Sequence, residues 1–354
     1  MTGVIRPPAP FERKFGTMAG KGAFRVGRPV AAPSSTPPAA LAAVPVAVFV
    51  AAILCTIAAA FLTLPTEAGA PVPAAVAAAA ARAEASMRDA EAFIRARKID
   101  AGLLADIQGK GLLGEELTPL TTTLGSHSAK RTAEDPRWAA VLVEKLWGAG
   151  LREGDFVAAS FSGSFPGLNL AFSLACRSLG LRLAVVSSVT ASTYGANQSG
   201  FTWPEMEVLL SQGGYLEPVS VGVAAGGAED TAADLEPEAR SLAAEIARRS
   251  AKALGAGFIE PASLADAVGK RMSLYREAAK GKRMALYANI GGADASLGTS
   301  DAVIELSSGF LPPYPFDLSK ERGVMAMMME EGVPVMSLLN VRDLALRWGI
   351  PIDE

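Results

Sequence analysis

The residues with chemistry to offer are hydroxyls, amides and glycines rather than metal ligands. The chain has one histidine, His127, and two cysteines, Cys55 and Cys176. That inventory is too small for a zinc site built on histidine or cysteine; no metal and no cofactor is expected. Small polar residues instead gather behind several short apolar runs. FVAAS is followed by Phe161-Ser162-Gly163-Ser164-Phe165-Pro166-Gly167-Leu168-Asn169. Leu183–Ser187 is followed by Ser188-Val189-Thr190-Ala191-Ser192 and then Tyr194-Gly195-Ala196-Asn197. Val219–Ala224 leads to Gly226-Gly227-Ala228-Glu229-Asp230, and Ala285–Ile290 carries Asn289 and runs into Gly291-Gly292.

Such residues suit an anion. Ser162, Gly163 and Ser164 let the backbone approach a ligand closely, and Pro166 presets a helix start whose free N–H groups and dipole favour negative charge. The candidate ligand-binding set is Ser162, Gly163, Ser164, Asn169, Ser188, Asn197, Asp230, Asn289, Gly291 and Gly292. Lys130 and Arg131 join it from the segment TPLTTTLGSHSAKRT, read as a binding loop with two cations. The bland readings are turn chemistry for the glycines, a helix cap by Ser164, and solvated charge for Lys130 and Arg131. A nucleophilic serine is the competing chemistry. Ser162 lacks the glycines of a G-x-S-x-G elbow, since positions 160 and 164 are serines, and a triad would need His127 as its base. Ser128-Ala129-Lys130 offers a Ser/Lys spacing instead. No catalytic residue is assigned.

These loops need a scaffold that brings them together. Strands are expected at Phe156–Ser160, Leu183–Ser187, Val219–Ala224, Ala285–Ile290 and Val333–Leu338. Helices are expected at 136–149, 167–180, 204–212, 235–254, 262–280, 320–331 and about 341–348. Asp135-Pro136 reads as a helix start, and Gly150 and Gly180 as helix ends. Strands alternating with helices imply βαβ units, hence an α/β fold: a mostly parallel, Rossmann-like sheet with helices on both faces. Ligands of such sheets bind at the carboxyl ends of the strands, where the polar loops fall. The run Met325, Met327, Met328, Met329 is read as core.

The rest of the chain is organised around a membrane anchor. Leu41 to Leu64 carries no charge. As a helix it would rise about 36 Å, enough to cross a hydrocarbon layer of about 30 Å. Arg6, Arg13, Lys14, Lys21, Arg25 and Arg28 precede it, and the first basic residue after it is Arg82. That asymmetry places the N-terminus in the cytoplasm. The expected plan is a disordered basic tail over 1–38, one transmembrane helix over 39–64, a linker and alanine-rich helix over 65–98, and an extracytoplasmic α/β domain over 99–354. A cleaved signal peptide is the alternative, with Ala68-Gly69-Ala70 as its site, opposed by Pro71. The net charge of −3 argues against a nucleic-acid partner.

Taken together, TPLTTTLGSHSAKRT, EGDFVAASFSGSFPGLNLA, SSVTASTYGAN with TWPEME, YANIGGADAS and GVPVMSLLNVRDLALRWGIP resemble the poly-gamma-glutamate system protein family, the accessory W component of that operon. The resemblance spans roughly Thr118 to Pro351. It implies a single-pass membrane protein of a capsule-type polymer system. Its partners would be the membrane subunits of a poly-γ-glutamate synthase complex, and its ligand poly-γ-glutamate or a glutamate-like anion. No catalytic residues carry over. The chain departs from the pattern in its long basic tail and at Met336-Ser337, where a histidine is expected.

Overall fold

In the computed structural model, residues 72–299, 306, 308–311 and 322–353 are described. The expected basic tail and the segment 39–64 lie outside these residues. Among the described residues no helix is long and apolar enough to cross a membrane.

Seven strands form one sheet: β1 (Phe156–Phe161), β2 (Arg182–Ser188), β3 (Ser220–Ala224), β4 (Gly257–Ile259), β5 (Met284–Ile290), β6 (Gly309–Leu311) and β7 (Val335–Leu338). Their order is β4-β3-β2-β1-β5-β7-β6. Every neighbouring pair is parallel except β6 with β7. The α/β class and the mostly parallel sheet agree with the sequence reading. β4 and the antiparallel edge strand β6 are additions to it. Both are three residues long, too short for a period-two pattern to show.

The helices are α1 (Ala74–Asp100), α2 (His127–Ala133), α3 (Arg137–Gly148), α4 (Pro166–Ser178), α5 (Trp203–Gln212), α6 (Pro237–Leu254), α7 (Leu264–Ala279), α8 (Asp294–Leu297), α9 (Val324–Glu330) and α10 (Val341–Trp348). Local chemistry explains their ends. Asp135 accepts the Arg137 N–H at 2.9 Å at the start of α3. Gly150 and Gly180, at φ +91° and +68°, turn the chain just after α3 and α4. Thr202 and Glu205 close a reciprocal capping box on α5. Two elements correct the sequence reading. Residues 127–133 are a helix rather than loop, capped by Ser126. Helix α1 is no mere lead-in: Ala83, Met87, Ala90 and Ile94 are fully buried in the same cluster as Val157 and Phe161.

Alternation along β1 divides the core between the two faces of the sheet. Val157, Ala159 and Phe161 join α1, α3, α4 and α5 on one side, while Phe156 and Ala158 join residues of α7 and α9 on the other. Of the methionines read as core, Met325 and Met328 fill the second side, while Met327 and Met329 pack against it half-buried. What the topology does for function is local. Successive strands step from β1 outward to β4, and the chain then returns to place β5 on the other flank of β1. The order therefore reverses between β1 and β5, and the loops that leave these two strands diverge to open a crevice.

Candidate ligand-binding cleft

A cleft of about 420 Å³ lies at that reversal. Its walls come from the loops after β1 (Ser162, Ser164, Phe165), β2 (Ser188, Thr190, Ser192), β3 (Gly227, Ala228, Asp234) and β5 (Gly292, Ala293, Asp294), closed by Thr122–Ser126 and Lys130. Four βα loops thus converge, as the sequence reading requires.

The loop after β1 is braced from both sides. The Ser162 N–H donates to Ile290 O at 3.0 Å, which ties it to β5. Gly291, at φ +91°, allows this approach, since a Cβ there would stand 2.7 Å from the Ser162 Cβ. Ser162 Oγ accepts the Ser164 N–H at 3.1 Å, and Ser164 Oγ accepts the Ser192 N–H at 3.1 Å. Ser164 does not cap α4: that helix starts behind Phe165 with proline in its first turn and no side-chain cap. Only its N-cap residue, Phe165, lines the cleft; the first turn, Pro166–Asn169, is buried, with Gly167 packed on the Ala133 backbone.

Lys130 is the cleft's cation, and it is not the solvated charge a surface lysine would be. It is 1% exposed. Its Nζ donates to Ser164 O and to Ser192 Oγ, the latter at 2.6 Å, and lies 3.9 Å from the centre of the Phe165 ring. No carboxylate lies within ion-pair distance of it among the described residues. Burial without a counter-charge pulls its pKa down to about 7. The opposite wall is acidic. Asp294 is held above the usual carboxylate range chiefly by burial, opposed by the N–H of Glu229 and reinforced by the charges of Asp234, Asp230 and Glu229.

Beneath the floor lies a buried ion pair. Arg271, from the middle of α7, grips Asp230 with two hydrogen bonds of 2.8 and 2.7 Å. The same guanidinium donates to Ser188 Oγ at 3.1 Å. Tyr287 donates to Ser160 Oγ at 2.8 Å and bonds Ser296 Oγ at 2.6 Å, so β1, β5, α7 and α8 share one polar network.

The expected site residues therefore divide. Lys130, Ser162, Ser164, Ser188 and Gly292 line the cleft. Gly163 stands behind it, its carbonyl accepting the Ala196 N–H at 2.8 Å. Asn169 is buried with its amide on Ser162 O at 2.8 Å, and Asn289 likewise on Gly291 O at 2.9 Å; both shape loops from below. Asn197 bolts the 115–121 segment down, accepting the Glu115 N–H at 3.1 Å and donating to Glu115 O and Thr121 Oγ1 at 2.8 and 3.0 Å. Asp230 belongs to the ion pair. Arg131 leaves the cleft altogether: it pairs with Asp353 at 2.8 Å in a separate hollow lined by His127, Ser128, Arg131 and Asp353. In the same hollow Ser128 bonds Asp353 O, and His127 lies against Tyr194 with ring centres 4.5 Å apart. Neither the His127 triad nor the Ser128–Lys130 pair is assembled.

Arg271, Phe165, Thr190, Ser192, Asp234 and Asp294 belong to the site without having been singled out. Ser192 carried a signal, as one hydroxyl in the run after β2. Arg271 carried none, since a lone arginine in a helical pattern reads as surface. Compared with protein-family models, curated proteins and solved structures, the chain matches none.

Proposed function

We propose that the cleft binds a carboxylate-bearing ligand of the glutamate type, and that the chain is a membrane-anchored accessory protein of poly-γ-glutamate synthesis or export. The observation that carries the binding reading is Lys130. It is a buried cation with no carboxylate partner among the described residues, set against Phe165, the N-cap residue of α4. Burying an unpaired ammonium is costly. A ligand carboxylate supplies the missing charge, and the dipole of the nearby α4 N-terminus favours it. The polymer assignment rests on the sequence blocks quoted above, and the anchor on the uncharged run 39–64 with its basic flank. In this reading the α/β domain lies outside the cytoplasm, beside the membrane subunits of the synthase complex.

Equilibrium dialysis of the detergent-solubilised full chain against a γ-linked glutamate trimer tests the binding claim. Saturable uptake is expected, displaced by glutarate and not by its dimethyl ester. Equal displacement by the uncharged ester would remove the carboxylate from the account.

A further inference from the structure

We propose that Ser192 and Lys130 form a nucleophile–base pair, making the cleft an acyl-transfer site that cleaves amides of the γ-glutamyl type. The pair meets at 2.6 Å, Oγ to Nζ. Both residues line the cleft. The contact is sterically built in. Gly125 packs against it, and a Cβ at that position would stand 3.0 Å from Ser192 Oγ and 3.1 Å from Lys130 Cε. The second bond of Nζ, to Ser164 O, fixes the amine from another direction. A lysine serves as a base when its surroundings disfavour the ammonium, and burial brings Lys130 to about 7. His127 and Ser128, the other candidates for this chemistry, lie in the separate hollow.

The step balances within the cleft. Ser192 Oγ adds to the amide carbonyl carbon while its proton passes to neutral Lys130 Nζ. The carbonyl oxygen gains negative charge near Phe165, the N-cap of α4, whose helix dipole favours it. The C–N bond breaks as Lys130 returns the proton to the leaving amine. Water then opens the Ser192 ester with Lys130 again as base, giving a carboxylic acid and free Ser192. Hydrolysis needs no other reactant, and an amine in place of water would make the step a transfer.

The substrate class rests on the carboxylate-binding reading, in which Lys130 is an ammonium, whereas the nucleophile needs the neutral amine that prevails above about pH 7, and the test separates them. The full chain is treated with a fluorophosphonate probe, which labels activated serines, and with γ-glutamyl-p-nitroanilide. Label is expected on Ser192, forming about tenfold faster at pH 8 than at pH 6, as the neutral fraction of a lysine near 7 requires. Ser192→Ala and Lys130→Met should each lower both labelling and p-nitroaniline release by at least about a thousandfold, with melting temperatures near that of the wild type. Ser128→Ala should match the wild type. Wild-type chain that binds the glutamate trimer yet takes no label, or label that persists in Ser192→Ala, overturns the pair. Ser192 label without trimer binding or anilide release overturns the glutamate-type substrate and leaves the nucleophile standing.

Discussion

Replacing Lys130 with methionine is expected to weaken binding of a γ-linked glutamate trimer by about 10- to 150-fold at pH 6. The figure follows from a charged hydrogen bond, worth about 1.5–3 kcal/mol, lost from a site that the ligand's carboxylate has entered. Stability should not follow the same course. Lys130 is buried against the Phe165 ring with its pKa pulled down to about 7, so the folded protein bears a cost for the charged form at and below neutrality. Methionine fills similar space without that cost. Calorimetry should therefore report weaker binding together with a melting temperature no lower than that of the wild type. A large fall in melting temperature would mean that the two hydrogen bonds of Nζ hold the loops together, and that Lys130 is structural. Arg131→Ala, by contrast, should leave trimer binding unchanged, because Arg131 faces Asp353 in the other hollow.

Arg271→Met is expected to destabilise the fold by about 3–5 kcal/mol, the usual consequence of removing one partner of a buried ion pair. Both side chains are almost wholly out of solvent, at 0% and 1% exposure, so Asp230 would be left charged and uncompensated. Ser188 would lose a donor at the same time. Adding Asp230→Asn should recover much of the loss. Asparagine tolerates the left-handed backbone of position 230, at φ +64°, and has no charge to strand. Urea unfolding of the single and double variants measures both. A single variant within about 1 kcal/mol of the wild type would show that the pair is not maintained in solution.

The scaffold was largely legible in the sequence because its signals are local. Five apolar runs gave β1, β2, β3, β5 and β7, and Pro166, Gly150 and Gly180 marked helix boundaries. The convergence of the polar loops was legible too, since a parallel sheet sends every βα loop to one end. Contacts between distant segments were not. Lys130 and Arg131 are neighbours in sequence, yet one turns into the cleft and the other toward Asp353, a division set by the helix that residues 127–133 form. The run TTTLGS separates that helix from the preceding loop without an apolar repeat to announce it. Arg271 could be placed beneath the floor only by knowing which face of α7 meets β1. Asn169, Asn197 and Asn289 were read as ligand-binding, but their amides hold loops and do not line the cleft.

The most direct test of the account is the pH dependence of wild-type affinity for the glutamate trimer, measured by calorimetry between pH 6 and pH 8. With the trimer's terminal amine acetylated, only its carboxylates ionise and they stay charged across this range, so the titrating partner is Lys130, near 7 in the free cleft. The ammonium is the form that attracts a carboxylate. Affinity should therefore fall about tenfold from pH 6 to pH 8 in the wild type, and stay level in Lys130→Met. An affinity that is flat across this range in the wild type, or that rises with pH, would contradict the claim that Lys130 receives the ligand.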